Sequence, residues 1–314
     1  MGSRVRSAAA AGEFLCVFLF LQKLSQTSTL APDMGYRQGL LAAVNDFFLY
    51  KLAWVYVDAK AAKWALLCQL FSWFTFYVMV RPFSNCVETV CTTAALALWP
   101  WKFLEDGAER KKRSNASSMK HTHRTLALMF AALGVLFRPT NVVIWLYPGV
   151  LHFLQTRGRA HLVFGVVLPI AIVTLLAMLC IDRLGYGEWT FVPINFFKFN
   201  VLEGKDKLYG EHPWSWYFSQ GYPAIVGTAL PMVLVGYFTI PSSKKDIGQF
   251  RFVLPLLPPA FMYAGYCLRN LELGLYVQLR DSTQSTLLRL AAALVIVPNV
   301  LTAYYLSRSH QVRC

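Results

Sequence analysis

Long apolar stretches broken by short polar runs set the character of this chain. The clearest covers residues 162–181, LVFGVVLPIAIVTLLAMLCI, twenty positions without a charge. A helix needs roughly 20 apolar residues to cross a hydrocarbon core about 30 Å thick. Residues 286–306 are as long but include Arg289, Pro298 and Asn299. Further stretches run over 40–57, 64–80, 86–104, 223–240 and 252–268, with a shorter one over 14–24. Residues 125–154 read as two apolar arms split by the tetrapeptide Arg138, Pro139, Thr140, Asn141. The pattern predicts an all-α polytopic membrane protein of about seven to nine membrane segments, forming one transmembrane domain over 1–314.

The 40–57 stretch has a second reading. Asn45, Asp46 and Lys51 interrupt it, leaving Leu41, Val44, Phe48 and Leu52 at helical spacing. An amphipathic helix lying along the interface would show that pattern as readily as a crossing helix.

Composition agrees with the membrane reading. Hydrophobic residues make up 56% and charged ones 15% of 314 residues, where soluble domains carry about 25% charged residues. Mean hydropathy is +0.43. The formal charge of +14 would suggest a polyanion partner in a soluble protein. Here the basic residues cluster in loops, as flanks of spans held near anionic lipid do, so nucleic acid is not expected as a partner. The seven cysteines show no C-x-x-C or other metal-type spacing and read as packing residues. No P-loop, G-x-S-x-G or H-E-x-x-H motif occurs, so no nucleotide site, metal or cofactor is expected.

The basic loops also predict an orientation. Residues 102–124 hold Lys102, Arg110, Lys111, Lys112, Arg113, Lys120 and Arg124, which places this loop in the cytosol. Alternation along the chain then puts 58–63, Arg157, Arg159, Lys244, Lys245, Arg308 and Arg313 on the cytosolic side. Residues 81–85 and 182–222 fall on the lumenal side.

That lumenal segment is longer than a connector needs to be. It combines Trp189, Trp214, Trp216, Tyr209, Tyr217 and Tyr222 with His212 and Asn200. Aromatic residues at a membrane face form interfacial belts. The other reading is a surface facing carbohydrate or lipid, where flat rings stack and a few polar groups orient the ligand. Arg138, at the tip of the 125–154 hairpin, also has two readings: it snorkels to the interface, or it holds a phosphate. Glu88 stands at a spacing that would let it pair with Arg81.

Several segments together resemble one family. In order they are LLAAVNDFFLYKLA, FSNCVETVCTTAALALWPW, FRPTN, PINFFKFNVLEGKDKLYGEHPWSWYFSQGYP and QFRFVLPLLPPAFMYAGYC. They look like the dolichyl-phosphate-mannose-dependent mannosyltransferases of the endoplasmic reticulum. Within these they are most similar to the type that adds the third mannose to the glycosylphosphatidylinositol (GPI) core, the PIG-B type. The resemblance runs over roughly 40–268. It implies a GT-C glycosyltransferase fold in the endoplasmic reticulum membrane with a lumen-facing site. The implied donor is dolichyl phosphate mannose and the implied acceptor a GPI-anchor intermediate, with inversion at the anomeric carbon and no metal or nucleotide sugar. It places His212, Trp214 and Tyr217 at the substrate face, Arg138 near phosphate, and Arg251 on a retained Arg-Phe element.

Two departures from the family pattern stand out. The family's catalytic acid lies in a Pro-Asp-Glu element of the first lumenal loop. Here only an Ala-Pro-Asp ending at Asp33 occurs, at a different distance, so the catalytic base is unassigned. The family's His-Lys-Glu before Arg-Phe is replaced by KKDIGQFRF. The expectation is an N-terminally incomplete form that does not catalyse transfer alone. The alternatives are a mannosyltransferase of N-glycan precursor assembly and a non-catalytic transporter or scaffold. The internal repeats common in transporters are not visible between the halves.

Overall fold

The computed structural model describes residues 32–81, 84–101, 116–156, 158–204, 213–241, 257–276 and 281–311. Among the described residues every regular element is helical, as the apolar pattern predicts. The main ones are α1 (Pro32–Tyr56), α2 (Ala59–Leu70), α3 (Trp73–Val78), α4 (Ser84–Leu98), α5 (Ala116–Phe137) and α6 (Val142–Gln155). They continue with α7 (Arg159–Tyr186), α8 (Val192–Phe197), α9 (Leu230–Thr239), α10 (Leu257–Glu272) and α11 (Asp281–Gln311). The chain divides into two compact units, Met1–Ala97 with Pro223–Cys314, and Leu98–Tyr222.

Three of the described helical stretches are long and apolar enough to cross a membrane: Arg159–Tyr186, Tyr217–Thr239 and Ser282–Arg308. Several other stretches that read as spans form shorter helices. Residues 64–80 are divided, because Ser72 stops the run and its side chain accepts from the Thr75 N–H to cap α3. The first and third of the three candidate spans bury only 11% of their apolar windows, which leaves their side chains facing outward as lipid-exposed helices do.

In the first unit, α1 corrects the amphipathic reading of 40–57. Its buried face carries Asn45 and Asp46 together with Ala42, Ala43, Leu49, Leu52, Ala53 and Tyr56, while Phe47, Trp54 and Val55 point outward. The polar residues turn inward because the interior supplies partners that lipid does not. Gln69 of α2 donates from Nε2 to Asp46 Oδ1. Ala42, Ala43, Met79, Cys86 and Val90 join α1, α4 and the residues after α3 into an apolar cluster.

Helices α2 and α10 pack at backbone distance. A Cβ added at Gly265 would sit 2.5 Å from Ala61 O and 2.6 Å from Ala65 N. One at Gly236 of α9 would sit 2.0 Å from Tyr263 O. Small residues at helix crossings permit this approach in membranes, where dispersion contact and polar links hold helices together. At one end of the pair the Arg269 guanidinium grips Asp58, with both Nε and Nη2 at 2.7 Å from Oδ2. Glu272 accepts from Trp64 Nε1 at 2.8 Å and from Lys60 Nζ at 3.1 Å.

These contacts fix helix directions. Gly265 lies by Ala61 and Ala65, and Arg269 by Asp58, so α10 runs antiparallel to α2. Gly236 lies by Tyr263, and Thr239 meets Tyr266 and Tyr276, so α9 and α10 run parallel. The chain therefore enters α10 at the end opposite to the one where it leaves α9. Helix α11 starts beside the end of α10, where Gln284 donates to the carbonyls of Leu271 and Glu272. It runs to the far end, where Asn299 meets the Trp73 N–H at 3.3 Å and Thr228 Oγ1 at 3.0 Å. Arg308 thus lies at the opposite end of this unit from Lys60 and Lys63. Strict alternation had placed all three on one side, because it assumed that every apolar stretch reverses the chain.

Candidate functional site

The residues singled out by resemblance fall mainly on two parts of the second unit. The first is the turn between α5 and α6. Arg138 closes α5 with its N–H on Gly134 O, then takes an extended backbone, φ −146° and ψ 106°. The following proline forces this, since its ring disfavours helical geometry in the residue before it. Pro139 opens a 3₁₀ turn through Asn141, needing no N–H of its own at that position. Asn141 is buried and accepts from Trp145 Nε1 at 2.8 Å, so the tetrapeptide is a rigid reversal that leaves Arg138 half-buried at its start.

The second part is the 182–222 segment, which is helical over much of its length. Helix α7 ends at Gly187, whose φ of 77° supplies the left-handed cap and whose N–H bonds Arg183 O. Asp182 Oδ2 accepts from the Val192 N–H at 3.1 Å, stapling the outgoing chain to the end of α7. The Arg183 guanidinium lies 5.8 Å from the centre of the Trp189 ring. Helix α8 passes into a π-helical turn, Lys198–Leu202, and a second π turn occupies Tyr217–Gly221. Such turns are rare and are found disproportionately at functional sites. Trp216 and Tyr217 meet edge to face at 5.5 Å. A Cβ at Gly221 would touch the Trp216 ring at 2.9 Å, so glycine makes room for the indole.

Trp189, Phe196, Phe197, Tyr217 and Phe218 are all exposed, Trp189 by 74%. The segment thus offers several solvent-exposed rings, the chemistry that stacking on a sugar or lying against lipid requires. Tyr217 follows Trp214 by one turn on the same helical stretch. Arg138 stands on a separate element, the α5–α6 turn. His212 and Arg251 lie outside the described residues.

A polar interior in the first unit is harder to see from sequence. Asn45, Gln69, Thr75, Asn85 and Thr89 line a small cavity with about 20 Å³ of space for a water's centre, room for about one water molecule. Asn45 Oδ1, of a residue on this cavity, and Asp46 Oδ2 are buried without a protein partner. Gln69 carries the signal, a lone amide inside ALLCQLF, but an isolated polar residue in an apolar run does not name its partner. Among the described residues no three His, Cys, Asp or Glu side chains gather as metal ligands.

The helical architecture, with its outward-facing apolar segments, is that of a multi-pass membrane protein. It matches the Archaeoglobus fulgidus oligosaccharyltransferase in its apo form with a TM-score of 0.55, over 92% of this chain and 47% of that one, at 13% identity. The chain belongs to the Alg9-like mannosyltransferase family, whose model matches residues 2–247. It is 34% identical to mannosyltransferase APTG1 of Arabidopsis thaliana over 94% of this chain and 58% of the relative. It is 36% identical to the GPI alpha-1,2-mannosyltransferase 3 of Bos taurus over 87% and 48%, and 37% identical to that of Homo sapiens over 75% and 43%. The chain spans about half the length of the curated relatives it matches. These relatives bear out the resemblance to the third-mannose GPI type.

Proposed function

We propose that this chain serves the transfer of α-mannose from dolichyl phosphate mannose to a GPI-anchor precursor, as the third, α-1,2-linked residue, in the endoplasmic reticulum membrane. The observation that carries this is the 36% identity to the Bos taurus GPI alpha-1,2-mannosyltransferase 3 over 87% of the chain, inside an Alg9-like family match. The chemistry suits a lipid-borne donor. A general base takes the acceptor hydroxyl proton while dolichyl phosphate departs, its growing charge met by cations. In this reading Arg138 faces that phosphate, His212, Trp214 and Tyr217 form the sugar face, and Arg251 lies on the retained Arg-Phe element. The 182–222 segment is lumenal and 102–124 cytosolic, within one transmembrane domain. The catalytic base is unassigned.

The test is complementation of cells lacking the third GPI mannosyltransferase. The chain is expressed as it stands, and in parallel as residues 40–314 behind the upstream half of a relative. Return of GPI-anchored proteins to the surface, with consumption of the two-mannose intermediate, supports the reading. His212→Ala and Trp214→Ala should abolish the gain at unchanged protein level. Failure of both forms here, with correction of an N-glycan precursor mannosyltransferase mutant, would replace the acceptor.

A further inference from the structure

The far end of the α5–α6 hairpin, away from Pro139, gathers cations and rings on a stretch of chain without carboxylates. Between Glu109 and Asp182 the sequence contains no Asp or Glu, and this end of the hairpin carries Arg124 and Arg159, the latter donating from Nη2 to Leu154 O at 3.0 Å. Arg124 holds His121, its Nη2 standing 3.0 Å from the imidazole Nδ1. Its Nε is buried and has no partner. On α6, His152 Nε2 is also buried and unpartnered, and the Arg124 charge acts on that ring. Trp99 closes one side, edge to face with His152 at 5.7 Å and stacked on Trp145 at 5.4 Å.

The depth of this cluster points to its ligand. Exposed apolar residues begin on α5 just beyond Arg124, at Leu126, Met129 and Leu133, and on α6 they end at Phe153 and Leu154. Arg124 and His152 therefore stand where lipid-facing surface gives way to polar chain, the level of headgroups and of interfacial tryptophans. The Nε and Nη2 edge of a guanidinium presents parallel donors that match two oxygens of a phosphate. A phosphate has further oxygens for a histidine. Anionic lipid is also the counter-charge that a basic flank meets at a membrane surface.

We propose that Arg124, His121 and His152, walled by Trp99, bind the phosphate of an anionic lipid headgroup. This site is separate from the turn at Arg138 and independent of the acceptor assigned above. A ligand that binds only the folded protein raises its stability with concentration, which provides the test. The purified chain in dodecyl maltoside is titrated with dihexanoyl phosphatidic acid, dihexanoyl phosphatidylcholine or inorganic phosphate while its melting midpoint is followed. Phosphatidic acid should raise the midpoint saturably and phosphatidylcholine should not. Arg124→Gln should weaken the apparent affinity at least tenfold, and Arg124→Lys should retain part of it. An equal response to inorganic phosphate would overturn the lipid as the source. Absence of any phosphatidic acid effect, or an unchanged one in Arg124→Gln, would overturn the site. If Arg124→Gln does not fold, His152→Phe keeps a ring against Trp99. Native mass spectrometry then counts retained anionic lipid, and an unchanged count in His152→Phe refutes the proposal.

Discussion

Replacing Gly265 with alanine places a methyl group where α2 already lies. The new Cβ would stand 2.5 Å from Ala61 O, 2.6 Å from Ala65 N and 2.8 Å from Ala65 Cβ, where ordinary contact begins at 3.4 Å. Two of the three obstacles are backbone, so no rotamer change relieves them. The helices must part by up to 0.9 Å, the shortfall at Ala61 O. A gap of that order forfeits a quarter to a half of each contact's dispersion energy along the seam. The same shift would stretch the 2.7 Å Arg269 to Asp58 bond beyond the roughly 3.2 Å limit of a good hydrogen bond. Overpacking of this kind costs about 1–3 kcal/mol, set against about 1 kcal/mol gained from alanine's helix propensity. Gly149→Ala is the control, since a Cβ there meets nothing within 4 Å and only the propensity gain applies. Both variants and the parent are purified in detergent, heated in steps and scored by the fraction remaining monodisperse on size exclusion. Gly265→Ala should melt clearly below the parent, and Gly149→Ala at or above it. If Gly265→Ala melts with Gly149→Ala, the α2–α10 backbones are not in contact and the reasoning fails.

Three further outcomes are expected. In a background with the native cysteines replaced, Lys63→Cys and Leu275→Cys should react with a membrane-impermeant maleimide from one side and Arg308→Cys from the other; labelling of all three from one side would refute the course of α11 from the end of α10 to the far end of the unit. Glu272 is held below the usual carboxylate range by the Trp64 hydrogen bond and Lys60, against a smaller opposing effect of burial. Its contribution is therefore complete above the ordinary glutamate range and is lost as pH falls through the lowered folded value, so the parent should lose more of its melting midpoint on acidification across that window than Glu272→Gln does. Asn115, in the N-x-S pattern Asn115-Ala116-Ser117, should stay unglycosylated if 102–124 is cytosolic, and a glycosidase-sensitive shift absent from Asn115→Gln would reverse that orientation.

Much of the fold is legible in the apolar pattern, and its failures have physical causes. The helical class follows from backbone groups that must bond internally in lipid, so stretches such as 162–181 specify helix before any packing is known. Direction is not specified in the same way. Hydropathy counts how many apolar stretches exist, but whether α10 runs with or against α9 depends on which faces meet. That is decided by Gly236 against Tyr263 and Gly265 against Ala61, pairs far apart in sequence. The amphipathic reading of 40–57 fails for a related reason. It assumes water on the polar side, whereas Asn45 and Asp46 are buried within the protein and Asp46 meets Gln69.

The candidate sites show the same division between local and distant information. Arg138 and its proline announce a break, and the chain turns there, because the steric rule acts between neighbours. The aromatic density of 182–222 is visible from composition. What is not visible is that two π-helical turns punctuate it and that Asp182 is committed to the Val192 N–H. That bond matters for assigning roles. A carboxylate stapling a loop start gives up one oxygen to a backbone donor, which suits it to holding the aromatic surface in place better than to taking a proton from an acceptor hydroxyl. Asp182 is thus a positioning group in this arrangement. Asp182→Asn, which keeps an accepting oxygen, should preserve the loop and any transfer activity, while Asp182→Ala should release the start of α8 and expose the bonds after Trp189 to protease. Loss of transfer in Asp182→Asn with the protease pattern unchanged would give the carboxylate itself a chemical role and refute this assignment.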